Sequence, residues 1–156
     1  MDSDSIKGIV NHTFVLQLLT KGTEQLRRIF RERWDILRTI NLDFTEWKND
    51  ELSGKELIKL CNSVQSNKKG KVFTLDQSIF KKFKEGKIDF WDITVSNSAI
   101  QVVSAAICNL GISTNKKEDK LISDLRVVRN DVVHEKDSKL TEAQFVKYWD
   151  RVERVV

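Results

Sequence analysis

Residues 14–40 read FVLQLLTKGTEQLRRIFRERWDILRTI, and this stretch decides the fold. Val15, Leu18, Leu19, Leu26, Ile29, Phe30, Trp34 and Leu37 recur at spacings of three, four and seven. Side chains at those spacings stack on one side of an α-helix, so the pattern draws a single apolar stripe. Gly22 falls inside it. Glycine costs about 1 kcal/mol in a helix interior, so Gly22 marks a place where the helix can divide in two. Arg27, Arg28, Arg31, Arg33 and Arg38 decorate the middle and end and read as a solvated face.

Further along the chain, helix starts are marked by capping signals. Ser53-Gly54-Lys55-Glu56 has the S-x-x-E spacing of a capping box, with Leu52 and Leu57 placed as a hydrophobic staple, and predicts a helix to about Val64. Asn67-Lys68-Lys69-Gly70-Lys71 reads as a polar, basic loop. Thr74-Leu75-Asp76-Gln77 predicts the start of a short helix through Phe83. Lys81, Lys82, Lys84 and Lys87 gather near its end, where cations suit the helix dipole. The segment from Ile93 to Leu110 is the most apolar, with Ile100, Val103, Ile107 and Leu110 in one stripe and Gly111 as a stop. Asn115-Lys116-Lys117-Glu118 is another capping signal. The helix after it carries Leu121, Leu125, Val128 and Val132 on one side and breaks in the polar stretch Glu135-Lys136-Asp137-Ser138. Thr141-Glu142-Ala143-Gln144, with Leu140 and Phe145 as staple, predicts a last helix through Val155. Its Phe145, Tyr148, Trp149 and Val152 read as core rather than as a base-stacking platform, because aromatic stripes generally bury.

Composition agrees with this pattern. The 156 residues include no proline and only six glycines, too few for the tight turns of a sandwich or barrel. The expected fold is an all-α, antiparallel bundle of about five to six helices, one domain over residues 13–156 with residues 1–12 as a flexible approach. The net charge is +4, and each half of the chain carries an excess of two, so there is no basic tail. That balance permits nucleic-acid binding without requiring it. Cys61 and Cys108 form no C-x-x-C pair, and with His12 and His134 they match no zinc spacing, so neither a metal nor a cofactor is expected. The acidic start Met1-Asp2-Ser3-Asp4-Ser5 is not a secretory signal, and no apolar run approaches the ~20 residues of a membrane span. A cytoplasmic domain, with room for further domains in a longer chain, is the expectation.

The residues with chemistry in them are Arg129-Asn130-Asp131-Val132-Val133-His134. Asn130 and His134 are four apart and share a face, while Arg129 points about 100° from Asn130 and flanks it. A cation, an amide and an imidazole then meet on one rim. Cleavage of RNA by its own 2′-hydroxyl needs a base, an acid and a cation on the phosphorane. Histidine moves protons near neutral pH, and arginine matches phosphate bidentately. The spacing also fits a helix-end histidine stabilised by the dipole beside an arginine in a surface pair.

Four stretches carry a wider resemblance: Lys21-Gly22-Thr23-Glu24-Gln25-Leu26-Arg27-Arg28-Ile29-Phe30, Phe90-Trp91-Asp92-Ile93-Thr94, Asp124-Leu125-Arg126-Val127-Val128-Arg129-Asn130 and Phe145-Val146-Lys147-Tyr148-Trp149. With the Arg–polar–x3–His signature at 129–134, the chain from about Phe14 to its end resembles the HEPN superfamily. The closer resemblance is to the branch named after the DAZ-interacting zinc-finger ubiquitin ligase, an RNA-binding protein. The resemblance implies a helical bundle that pairs through its motif helices into a composite, metal-independent endoribonuclease site leaving 2′,3′-cyclic phosphates. Arg129 and His134 would be catalytic, with Asn130 supporting. Arg126 and Arg129 would meet RNA phosphates. Val132 and Val133, apolar beside so many charges, are suited to the homodimer contact. The alternative is a non-catalytic dimerisation or protein-interaction module of a larger signalling or immune-type protein. A weaker third option, by analogy alone, is a nucleotide-binding or nucleotidyltransferase-partner domain. His12 lies outside any recognisable motif.

Overall fold

The structure, a computed structural model, describes residues 3–66, 76–135 and 139–153. The loop expected at Asn67–Lys71, Thr74 and Leu75, the break at Lys136–Ser138, the side chain of Leu121 and the end at Val155 lie outside the described residues. Among those described there are six α-helices, one 3-10 turn and no strand, so the fold is all-α as the patterning predicts. The helices are α1 (Ser3–Ile40), α2 (Glu51–Ser66), α3 (Gln77–Glu85), α4 (Ile93–Asn109), α5 (Lys116–Val133) and α6 (Glu142–Glu153), with the 3-10 turn at Ile88–Phe90. Contacts gather into two compact units. One takes residues 3–25 with 115–135 and 139–153. The other takes 26–66 with 76–114, and α1 runs through both.

The second unit is built on aromatic rings. Phe30 meets Trp47 and Trp91 edge-on, each at 5.0 Å, and Trp34 meets Trp47 at 5.1 Å and Phe44 at 5.6 Å. Such pairs add roughly 0.5–1.5 kcal/mol each beyond area burial. A buried indole N–H needs an acceptor, and all three have one. Trp34 donates to Thr45 O, Trp47 to Asn49 Oδ1 and Trp91 to Lys82 O. Arg27 closes the cluster with two N–H groups on Trp91 O, at 2.7 and 3.2 Å. Arg33 is buried and donates to Ser104 Oγ at 2.6 Å. The arginine face of α1 is therefore only partly solvated. Arg28 and Arg38 pair with Glu32 and Asp35 on the surface, whereas Arg27 and Arg33 turn inward because carbonyl and hydroxyl acceptors await them.

α2 starts earlier than Ser53. The carboxylate of Asp50 accepts from Ser53 N at 2.9 Å and is the cap, while Ser53 Oγ accepts from Lys48 N at 2.8 Å. Leu52 is 70% exposed and staples nothing. Gly54 lies against the carbonyls of Phe83 and Lys84 at the end of α3, where a Cβ would collide with backbone. Gly86 ends α3 in the left-handed conformation (φ 70°), itself against Asp50 O. Asp76 caps α3 and Asp92 caps α4. Gly111 (φ 83°) stops α4 with Ile112 N on Ile107 O, and Leu110, outside the stripe it was expected to extend, is 49% exposed.

In the first unit α1 begins at Ser3 and takes in residues placed by the sequence in a flexible approach. Ile6, Ile9 and Val10 are exposed there, so no buried stripe announces the helix. Polar contacts hold it instead: Leu140 N donates to Gly8 O at 3.0 Å, and Lys139 Nζ to Ser5 Oγ at 3.3 Å. Gly22 does not divide α1. A Cβ at Gly22 would stand 3.0 Å from Leu125 Cδ2, so the glycine is where α5 packs close. Asn115 caps α5, accepting from Lys117 N and Glu118 N. Thr141 and Gln144 form a reciprocal capping box on α6. Tyr148 and Val152 are buried; Phe145 and Trp149 are half-buried, with rings 5.5 Å apart.

Candidate nucleic-acid interface

The buried stripe of α5 fixes how the motif faces. Ile122, Leu125, Val128 and Val132 point into the unit. At 100° per residue, positions 126, 130 and 134 then follow one another within about 80°, with Arg129 on the near side of that line. Arg126, Arg129 and Asn130 are half-buried at the edge of the stripe, and His134 is exposed.

Arg129 Nη1 donates to Asn130 Oδ1 at 3.1 Å. The amide thus steadies the guanidinium and leaves its remaining N–H groups for another acceptor. His134 closes the helix as its C-cap, and its backbone N–H donates to Asn130 O at 3.1 Å. Asn130 is therefore tied to Arg129 through its side chain and to His134 through its backbone. Arg126 Nε is buried without a hydrogen-bond partner. A desolvated, unanswered donor costs roughly 1–3 kcal/mol, and an anion would answer it.

Electrostatics cut both ways. A helix C-terminus carries partial negative charge, which disfavours phosphate. Two arginines within one turn oppose that effect. On the other flank Tyr148 lies buried, and burial pushes its phenol upward first. The charges of Asp131 and Glu135 raise it further. Beyond Glu135 a cavity of about 950 Å³ opens between Asp4, Lys7, Asn11, Lys139 and Glu142. Its lining charges are mixed, so it does not extend the cationic rim.

Val132 is fully buried in its own chain and cannot form the contact proposed for it, because the stripe that seats α5 needs it. Val133 is 47% exposed and remains open to a partner. His12, which sequence reasoning set aside, is buried and donates Nε2–H to Val132 O at 3.0 Å. A carbonyl only accepts, so the proton sits on Nε2. A signal was there to find: His12, Val15 and Leu19 fall at helical spacing on one stripe.

Among the described residues no three His, Cys, Asp or Glu side chains gather as metal ligands. No helix among them is long and apolar enough to cross a membrane. No family model, curated protein or solved structure matches the chain.

Proposed function

We propose that this domain acts on RNA as a metal-independent endoribonuclease of HEPN type, working as a homodimer paired along α5. The observation that carries the reading is the Arg129–Asn130 bond at a solvent-facing rim whose last member is an exposed imidazole, His134. In the proposed reaction the 2′-oxygen bonds to phosphorus and the P–O5′ bond breaks. One His134 takes the 2′-hydroxyl proton and the other gives a proton to O5′. Two imidazoles are needed and each chain offers one at this rim, which is why the reading requires two chains. Arg129 holds the non-bridging oxygens of the phosphorane, Asn130 orients that guanidinium, and Arg126 takes a neighbouring phosphate. Val133 supplies the apolar contact between chains. The products are a 2′,3′-cyclic phosphate and a 5′-hydroxyl. The cytoplasm, as part of a longer signalling or immune-type protein, is the setting this reading suits.

A second reading, a non-catalytic interaction module, draws on Ile6, Val10 and Phe14. They are 51, 42 and 46% exposed and four apart on α1, an apolar face free to dock.

Single-stranded RNA incubated in EDTA with wild type, Arg129→Ala and His134→Ala separates the two. Cleavage by wild type alone, with all three proteins equally helical, is the expected result. Retention of RNA without cleavage reduces the reading to an RNA binder, and neither outcome leaves the interaction module in its place.

A further inference from the structure

The last turn of a helix leaves its carbonyls without intrahelical donors, so such turns fray unless something outside holds them. In α5 two carbonyls of that turn are held. Asn130 O accepts from His134 N, and Val132 O accepts from both Glu135 N at 3.2 Å and His12 Nε2 at 3.0 Å. The second bond to Val132 is made by another element, α1, from a side chain only 8% exposed, onto a residue that is itself fully buried. Val132 sits between Asn130 and His134. A clamp on its carbonyl therefore acts on the turn that presents both.

We propose that His12 is a positioning residue for the motif. Its Nε2–H pins the final turn of α5 to α1 and sets the place and direction from which Asn130 and His134 meet a substrate. His12 does not touch RNA, being buried with its Nε2 proton committed to a carbonyl. The proposal rests on the reading of the motif as an RNA-cleaving site. It gives the chain's two histidines separate tasks: His134 moves protons, and His12 holds the frame that aims it.

Two substitutions test it. His12→Leu keeps apolar bulk and removes the donor. His12→Gln keeps an N–H at similar reach. Amide hydrogen exchange is followed at Val133, His134 and Glu135 against Leu125 and Val128 as internal reference, and RNA cleavage is measured in EDTA. In His12→Leu the last-turn amides should exchange about tenfold faster with the reference unchanged, the size expected for losing one buried hydrogen bond. The kcat should fall on the order of tenfold with KM nearly constant, since misplacement of the reacting groups is felt in the chemical step. His12→Gln should restore both. Unchanged exchange, faster exchange along the whole of α5 that glutamine does not reverse, or loosened exchange with kcat intact each overturn the proposal. Should His12→Leu not fold, His12→Met, unbranched and more adaptable, takes its place. A wild-type protein that cuts no RNA removes the nuclease reading, and the exchange data then decide the clamp by themselves.

Discussion

Tyr148 is the chain's single tyrosine, so tyrosinate absorbance reports on it alone. Burial, then the charges of Asp131 and Glu135, hold its phenol in the neutral form. Titration should therefore fall above the ordinary value of about 10. The linkage has a definite sign. A pKa raised on folding gives stability that is present in full below the unfolded value and is lost as pH rises through the folded one. Alkaline unfolding should accordingly shift to higher pH in Tyr148→Phe. A tyrosine titrating at its ordinary value would contradict this packing. Arg126 makes a different case, because its buried Nε has no partner. Arg126→Met should leave the unfolding free energy unchanged or raise it by up to ~1 kcal/mol, since an unanswered donor is removed. The same change should weaken RNA binding and lower its salt slope by about 1, the mark of one lost phosphate contact. Loss of stability with RNA binding intact would show that Arg126 serves packing alone.

Among the elements, α2 and the end of α3 approach closely. Gly54 and Gly86 bring backbone against backbone there, with no flexible side chain to move aside. Gly54→Ala should cost roughly 2 kcal/mol or more in urea unfolding. Asn115→Ala removes only a cap and should cost about 1 kcal/mol. A Gly54→Ala protein as stable as wild type would mean that the two helices stand farther apart. Caps such as Asn115 and the Thr141–Gln144 pair were legible in the sequence because they act within three residues of themselves. Ser53 misled because Asp50, three residues upstream, captures the same amide, and both arrangements satisfy the spacing rule. Gly22 misled for another reason. A glycine that breaks a helix and one that admits a neighbour look alike until Leu125 is seen beside it. The Phe30–Trp34–Trp47–Trp91 cluster joins residues far apart in sequence, and periodicity reports only local faces. The burial of His12 was legible from the stripe it shares with Val15 and Leu19, but its bond was not, since the partner lies 120 positions away.

At the scale of the whole molecule, the motif lies on one helix end and each chain brings one exposed imidazole to it. Proton removal and proton delivery need two, so the account makes pairing of chains a condition of chemistry. Val133→Glu should abolish dimerisation and cleavage together, read by sedimentation and by RNA assay on the same sample, while helicity stays intact because that side chain is half in solvent. A monomer that still cuts at the wild-type rate would end the composite-site account. The most direct measurement mixes wild type with His134→Ala in varied proportion, lets the dimers re-equilibrate, and follows RNA cleavage in EDTA at constant total protein. If both imidazoles act in one cleft, the rate follows the square of the wild-type fraction. A rate linear in that fraction, or no cleavage from the unmixed wild-type dimer, contradicts the account.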